Sequence, residues 1–216
     1  MQIDFLELII IFVAIILSTV LHEMAHGWVA YLLGDTTAKD SGRLSLNPLD
    51  HIDPYMSILV PVLLYIAGGP IFGGAKPVPI DKYRLKGGAW GMALVALAGP
   101  LTNLLLGLIV FMIARLVGGI EVADGVSYMV NYPGRIMSRI VLMELGFAVF
   151  NMIPIPPLDG SRILYAMSPD GVRSFLEKFE QYGMIVVFIL VIAGGSVLSR
   201  YMSAATGWIL DLFSMI

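Results

Sequence analysis

A long apolar run near the start of the chain is the feature that most limits what this sequence can fold into. The run extends from about residue 5 to residue 33, and a helix needs about 20 mostly apolar residues to cross a bilayer. The first ten residues, MQIDFLELII, carry Asp4 and Glu7 but no basic residue, whereas a secretory signal peptide begins with a basic region. We therefore expect a retained membrane helix here.

The composition also indicates a membrane protein. Hydrophobic residues make up 58% of the chain and charged residues only 13%, with a mean hydropathy of +0.86, whereas soluble domains carry about 25% charged residues. The net charge of −3 gives no indication of a nucleic-acid partner. Because the chain has no cysteine, it has no disulfide framework, and any metal must be held by histidine and carboxylate ligands.

Further apolar segments predict an all-α polytopic membrane protein, with about five to six transmembrane helices in a single membrane-embedded domain over residues 1–216. The three core helices are expected at about 5–33, 89–117 and 137–155. The accessory segments lie at 55–72, 183–198 and 204–216. The first accessory segment contains prolines and either spans or re-enters, and the last either spans obliquely or lies in the interface.

The basic residues predict an orientation. If the first helix runs from outside to inside, regions 34–88 and 156–182 face the cytoplasm. The first region holds six Lys and Arg residues and the second holds three, out of thirteen in the chain. Cytoplasmic loops carry an excess of Lys and Arg, so this distribution favours the topology. The topology requires segment 55–72 to leave and return on the same side.

The pentapeptide HEMAH places ionisable groups inside the first apolar run. His22 and His26 are four residues apart, so a helix presents both imidazoles on one face, where they can bind one zinc ion. Glu23 lies about 100° round the helix from His22. From there it can take a proton from a zinc-bound water, whose pKa the metal lowers to about 7, and later give it to the leaving amine.

The alternative for HEMAH is a pair of ordinary hydrogen-bonded histidines, since the pattern also occurs by chance. Its position argues against that interpretation. Gly34 lies twelve residues after His22, or about 18 Å along a helix, so the pair lies inside the hydrocarbon. Ionisable side chains at that depth are costly and usually functional. We therefore expect one Zn²⁺ per chain.

Two histidines leave the zinc one protein ligand short. Asp159 is a better candidate for this ligand than His51. Three prolines in NMIPIPPLDG break the helix before Asp159 and place Asp159 on irregular backbone. The alternative is that Asp159 caps the next helix. His51 lies in LNPLDHIDP, a stretch typical of a turn with satisfied polar side chains.

Two asparagines are further candidates. Asn151 could hold a substrate backbone or steady the oxyanion, or could form an interhelical hydrogen bond. Asn103, in LAGPLTN, could face the site as a substrate-binding residue or hydrogen-bond across helices. Gly99 in the same motif is expected to allow close helix packing.

Three motifs, HEMAH, LAGPLTN and NMIPIPPLDG, follow in this order on three separate apolar segments. Together they resemble the site-2 protease family of intramembrane zinc metalloproteases over roughly residues 15–165. The resemblance implies a three-helix catalytic core with its zinc near the cytoplasmic face. It also implies His22, His26 and Asp159 as zinc ligands, Glu23 as the catalytic glutamate and Asn151 as a substrate-contacting residue.

Other stretches resemble short bacterial and archaeal members of the family, without PDZ or CBS modules. These are GRLSLNPLDHIDP and GGAKPVPID, and GRLSLNP is a possible counterpart of a membrane-associated β-hairpin that binds substrate as an added strand. The expected substrates are single-pass proteins of the cell membrane, cleaved within or near the bilayer. No nucleic-acid partner is expected, and a homo-oligomer is left open.

Three rival interpretations stay open at this point. A metal-ion binding or transport protein could use the same histidine pair but would have no special use for Glu23. A catalytically silent homologue would bind membrane helices without stoichiometric zinc. A differently folded membrane zincin would take its third ligand from a downstream glutamate, for which Glu144 is the nearest candidate.

Overall fold

The computed structural model describes residues 4–59, 63, 66, 74–123 and 126–216, and it is mostly helical. The α-helices are α1 (Phe5–Leu32), α2 (Thr37–Asp40), α3 (Gly88–Leu116), α4 (Tyr132–Asn151), α5 (Gly160–Met167), α6 (Asp170–Glu180), α7 (Gly183–Ile192) and α8 (Gly195–Ser214). A 3₁₀ turn covers Pro48–His51, a π-helical stretch covers Pro54–Leu59, and strands β1 (Ile120–Ala123) and β2 (Val126–Met129) form an antiparallel hairpin.

Helix α1 is the predicted N-terminal apolar helix. Asp4 caps it by accepting a hydrogen bond from the Glu7 N–H at 2.8 Å, which satisfies one of the free donors of the first turn. The chain turns away after Leu32 at Gly34, whose φ of +101° favours glycine. Large apolar side chains such as Phe5 and Phe12 are exposed along the helix, as a lipid-facing surface requires.

Two helices among the described residues, α1 and α3, are long and apolar enough to cross a membrane. Helices α7 and α8 pass the same test only as a pair, with a bend of 88° between them. These helices differ in extent from the accessory segments expected at 183–198 and 204–216, since α7 ends at Ile192 and α8 begins at Gly195. The chain breaks near Gly194, where a Cβ atom would lie 2.5 Å from the Leu190 carbonyl oxygen, and α8 then runs continuously to Ser214.

Helix α4 begins earlier and ends earlier than the predicted segment 137–155. Asn131 caps it by accepting from the Gly134 N–H, and the helix ends at Asn151 ahead of the prolines. Its first turns carry Arg135, which lies outside the predicted segment, and Arg139, which lies inside it. Both pair with the fully buried Glu7 of α1, at 3.5 and 2.7 Å.

Strand structure also differs from the prediction. The hairpin of β1 and β2 follows α3, whereas residues 42–48 contain bends and no strand. Side-chain contacts shape that stretch: His51 Nε2 lies 2.8 Å from the Ser45 carbonyl oxygen, and Arg43 donates to the Lys76 carbonyl at 2.6 Å. Of the predicted segment 55–72, only residues 55–59, 63 and 66 are described, so its path lies outside the described residues.

Helices α1, α3 and α4 pack against one another in pairs, and α5 packs on α3. One apolar core lies between α3, α4 and α8, around Phe111, Leu145 and Phe213. A second lies where α1 meets α3, around Ala30 and Val95. This arrangement brings the HEMAH face of α1 against the LAGPLTN stretch of α3.

Asp35 fastens the end of α1 to the chain that leads into α3. Its Oδ1 accepts from the Thr37 N–H at 3.0 Å and its Oδ2 accepts from the Asp81 N–H at 2.7 Å. Burial raises the pKa of this carboxyl, but the hydrogen bonds from Thr37 and Asp81 outweigh burial and hold the pKa below its ordinary value. The carboxylate therefore stabilises the fold above its unfolded pKa of about 3.9, and this stability is lost as the pH falls through the lower folded pKa.

We expect Asp35→Asn to lower the free energy of unfolding by about 1–3 kcal/mol. The new amide would place an N–H donor against one of the N–H groups that Asp35 accepts from. Thermal unfolding in detergent at pH 7 measures the loss, with Asp211→Asn on the exposed face of α8 as the control. Equal unfolding temperatures for the two variants would contradict this role of Asp35.

Candidate metal centre

Three side chains from two distant parts of the sequence meet at the centre of the helical core. His22 Nε2 lies 3.3 Å from Asp159 Oδ2, and His26 Nε2 lies 3.4 Å from Asp159 Oδ1. The two Nε2 atoms are 3.1 Å apart. One ligand atom from each of the three residues lies within 4.8 Å of the others. The described residues contain no other such group of histidine, aspartate and glutamate side chains.

Each imidazole is oriented by a contact at its second ring nitrogen. His22 Nδ1 lies 2.6 Å from Asn103 Oδ1, and His26 Nδ1 lies 2.7 Å from the Val95 carbonyl oxygen. A carbonyl oxygen only accepts hydrogen bonds, so both Nδ1 atoms carry the proton. Both Nε2 lone pairs are then free and point at the cluster, as metal ligation requires.

Gly99 leaves room for the imidazoles. A Cβ atom at this position would lie 2.5 Å from His22 Cε1, His22 Nε2 and His26 Nε2. Helix α3 therefore approaches α1 closely enough to form one wall of the cluster. The sequence predicted close helix packing at Gly99, and the structure shows that the packing is against the two histidines themselves.

Asp159 reaches the cluster from the irregular chain between α4 and α5. Residues Ile153 and Leu158 on this stretch pack into a core with Val187 of α7, which holds the turn in place. Asp159 makes no side-chain capping hydrogen bond to α5, so the alternative role as a helix cap does not hold. Its Oδ2 is buried with no hydrogen-bond partner, and buried polar atoms normally have one.

These observations fit a bound metal ion. Two free Nε2 atoms and a carboxylate form the kind of three-ligand set that catalytic zinc uses, with a fourth position left for water. A cation there would give the orphaned Asp159 oxygen a partner. It would also separate the two Nε2 atoms, whose lone pairs face each other at 3.1 Å.

Glu23 does not belong to the cluster of three and is held beside it. Its Oε2 accepts a hydrogen bond from the Val78 N–H at 2.9 Å. Val78 is buried in the segment that follows residue 74, and a Cβ atom on Gly27 would lie 3.2 Å from its side chain. The stretch GAKPVPID, residues 74–81, thus passes over the same part of α1 that carries HEMAH.

The predicted substrate-binding role of Asn103 is not supported by its position. Asn103 is fully buried, with 0% of its surface exposed, and its amide contacts His22, Ser18 and Glu144. It therefore hydrogen-bonds across helices, which was the alternative considered for it, and it contacts the imidazole of His22. Asn151 lies at the end of α4, half-buried, where its Nδ2 donates to the Phe147 carbonyl at 3.1 Å. This bond lies within one helix and is not the interhelical bond considered above.

The two remaining candidates lie elsewhere. His51 is buried in its turn beside Ser45, as the turn interpretation predicted. Glu144, the third ligand in the rival zincin interpretation, lies behind His22 and contacts Asn103 and Ser18. Sequence reasoning did not identify Ser18, Val78 or Val95. Ser18 had one usable signal, since it precedes His22 by four residues and so shares its helix face.

Comparison with known proteins finds a matching family model and several similar proteins. The model described as "Peptidase family M50" matches residues 114–194, a stretch that includes Asp159. "Putative zinc metalloprotease YwhC" of Bacillus subtilis is 38% identical over 94% of this chain and 90% of its own length. Proteins named "Putative zinc metalloprotease Rip2" are 29% identical in Mycolicibacterium smegmatis and 28% in Mycobacterium tuberculosis, over 91% of this chain and 71% of each relative.

The search of solved structures finds no significant match. The similarity to YwhC extends over nearly the whole length of both chains, and the family model covers residues 114–194. These findings confirm the resemblance that the three motifs indicated. The chain belongs to peptidase family M50, the site-2 protease family of zinc metalloproteases.

Proposed function

We propose that this chain is an intramembrane zinc endopeptidase that hydrolyses peptide bonds in the transmembrane segments of single-pass membrane proteins. The observation that carries the proposal is the meeting of His22, His26 and Asp159 within 4.8 Å, with both histidines on a helix apolar enough to span a bilayer. Membership of a metallopeptidase family supports the same reaction. A metal transporter is the weaker candidate, because it gives Glu23 no role.

The proposed ligands are His22, His26 and Asp159, and a zinc ion held by them would supply Lewis-acid activation of a water molecule and of the scissile carbonyl. Glu23 takes the proton from the attacking water and passes it to the leaving amine. The Val78 N–H fixes the direction of the Glu23 carboxylate. Asn151, at the half-buried end of α4, is the proposed contact for the substrate backbone or the developing oxyanion.

The proposed membrane arrangement has α1, α3 and α4 spanning as a three-helix catalytic core. Helix α4 is not among the helices that pass the hydropathy test, but its charged residues Arg139 and Glu144 face partners inside the protein. Spanning helices carry such residues when they face the bundle interior. With α1 running inward, the site lies on the cytoplasmic side of the bilayer, within a multi-pass protein of the cell membrane.

The substrate must unwind before it can be cleaved. A helical segment has its carbonyl groups engaged in hydrogen bonds, so Glu23-assisted attack requires a locally extended backbone. The irregular chain around Asp159 and the segment that carries Val78 are the proposed walls of this cleft. Both stretches lie beside the site without being part of a helix.

A comparison of membrane proteomes tests the proposed function. Cells producing Asp159→Ala are expected to accumulate uncleaved single-pass proteins that cells producing the wild type process. Asp170→Ala is the matched control, because Asp170 is a fully exposed aspartate at the start of α6. Identical proteomes for wild type and Asp159→Ala, with both proteins present in the membrane, would contradict the proposal.

A further inference from the structure

Glu144 is a buried carboxylate in α4 that the proposed reaction does not use. Its exposed fraction is only 4%. Its Oε2 accepts hydrogen bonds from Ser18 Oγ at 2.8 Å and from Asn103 Nδ2 at 2.8 Å. A carboxylate is costly to bury unless it is hydrogen-bonded, and Ser18 and Asn103 supply these hydrogen bonds to Glu144. The three side chains therefore form one connected polar network behind His22.

The network has only one consistent direction. The acceptor oxygen of Glu144 requires a donor, so the NH₂ group of Asn103 must face it. The second proton of that NH₂ group is donated to Ser18 Oγ at 2.9 Å, and Ser18 in turn donates to Glu144. Asn103 Oδ1 is then left facing His22 Nδ1 at 2.6 Å. Because Oδ1 can only accept, Nδ1 must be the protonated nitrogen of His22.

We propose that Glu144, acting through Asn103, fixes His22 in the Nδ1-protonated tautomer and so keeps its Nε2 lone pair available to the metal. Glu144 is thus a positioning residue, two hydrogen bonds away from His22 Nδ1. The inference rests on the proposed zinc site. Outer hydrogen-bond partners of ligating histidines set tautomer and ring orientation, and their loss typically weakens metal binding 10–100-fold.

If Glu144 only packs beside Asn103, its removal leaves the tautomer of His22 unchanged. If Glu144 positions His22, its removal changes that tautomer. Without an acceptor at Glu144, the Asn103 amide is free to turn over and present its NH₂ group to His22 Nδ1. That nitrogen would then have to accept, which would place the proton on Nε2, the atom that lies 3.1 Å from His26 Nε2. The tautomer of His22 therefore distinguishes positioning from packing.

The first test compares wild type with Glu144→Leu in the metal-free protein labelled with ¹⁵N-histidine. Wild type is expected to show a protonated Nδ1 for His22, and Glu144→Leu a mixture with the Nε2-protonated form. Zinc affinity, measured by competition with a chelator, is expected to fall roughly 10–100-fold in Glu144→Leu. Glu144→Gln is expected to lose less, because its Oε1 can still accept from both Ser18 and Asn103.

A swapped pair provides the second test. The double variant Asn103→Asp with Glu144→Gln places a carboxylate at position 103, where it accepts from His22 Nδ1–H. The new amide at position 144 donates to that carboxylate. Zinc affinity is therefore expected to recover to near the wild-type value. This variant keeps the network paired and carries the test if Glu144→Leu does not fold. Zinc affinity in the swapped pair as low as in Asn103→Ala would overturn the proposal.

Glu7→Gln is the matched control, since Glu7 is a fully buried carboxylate at the other end of the same helical core. Its zinc affinity is expected to match wild type, although the substitution removes the negative charge that pairs with Arg139. An unchanged tautomer and affinity in Glu144→Leu, or an equal loss in Glu7→Gln, would overturn the positioning role. If wild type binds zinc but cleaves nothing, the proposed function fails while this inference stands.

Discussion

The Glu23→Gln variant is expected to lose roughly 10²–10⁴-fold of its proteolytic turnover while retaining one zinc ion per chain. Glutamine has the shape of glutamate and its Oε1 can still accept the hydrogen bond from the Val78 N–H. It cannot take a proton from water at neutral pH. The three proposed ligands are untouched by the substitution, so metal content and folding are expected to stay unchanged.

Turnover of a purified single-pass substrate in detergent or vesicles measures this effect, alongside the zinc content of the enzyme. Glu177→Gln is the control, because Glu177 is an exposed glutamate on α6 whose Oε1 lies 3.7 Å from Lys82 Nζ. Equal turnover of Glu23→Gln and wild type would remove Glu23 as the general base.

The Gly99→Ala variant is expected to weaken zinc binding about 10–100-fold without removing any ligand. The added methyl group would lie 2.5 Å from both Nε2 atoms, closer than carbon and nitrogen atoms can approach. The histidines or helix α3 must therefore shift. Overpacking of this kind costs about 1–3 kcal/mol, and each 1.4 kcal/mol corresponds to a tenfold change in affinity.

Gly146→Ala is the matched control for Gly99→Ala. Gly146 lies within α4, and a Cβ atom there would have no neighbour within 4 Å. Both substitutions replace glycine by a better helix former, so they change helix propensity equally and differ only in the contact with the cluster. If the two variants bind zinc equally well, the close approach of α3 to the histidines is not what shapes the site.

The apolar helices were largely predictable from hydropathy, and their ends were not. The predicted segments 5–33 and 89–117 agree with α1 and α3 to within a residue. Helix α4 begins earlier because Arg135 and Arg139, which lower the hydropathy of its first turns, find a buried partner in Glu7. A one-dimensional pattern cannot show that two arginines will be neutralised by a residue more than a hundred positions away.

The candidate site was likewise predictable only in part. The two histidines of HEMAH lie on one helix, so their position on one face followed from local geometry. The prolines before Asp159 indicated an irregular chain at membrane depth. The contacts of Ser18, Asn103 and Glu144 depend on how three helices pack. Likewise, the Val78 N–H reaches Glu23 across 55 residues of sequence, and no spacing rule contains that contact.

The most direct test of the central claim is to map the bond that the purified enzyme cleaves. Wild-type protein, reconstituted into vesicles with a single-pass substrate, is expected to cut inside the hydrophobic segment of that substrate. Mass spectrometry of the products identifies the bond, and Glu23→Gln serves as the inactive reference. Cleavage confined to the water-exposed tails of the substrate, or equal cleavage by Glu23→Gln, would contradict the assignment of this chain as an intramembrane protease.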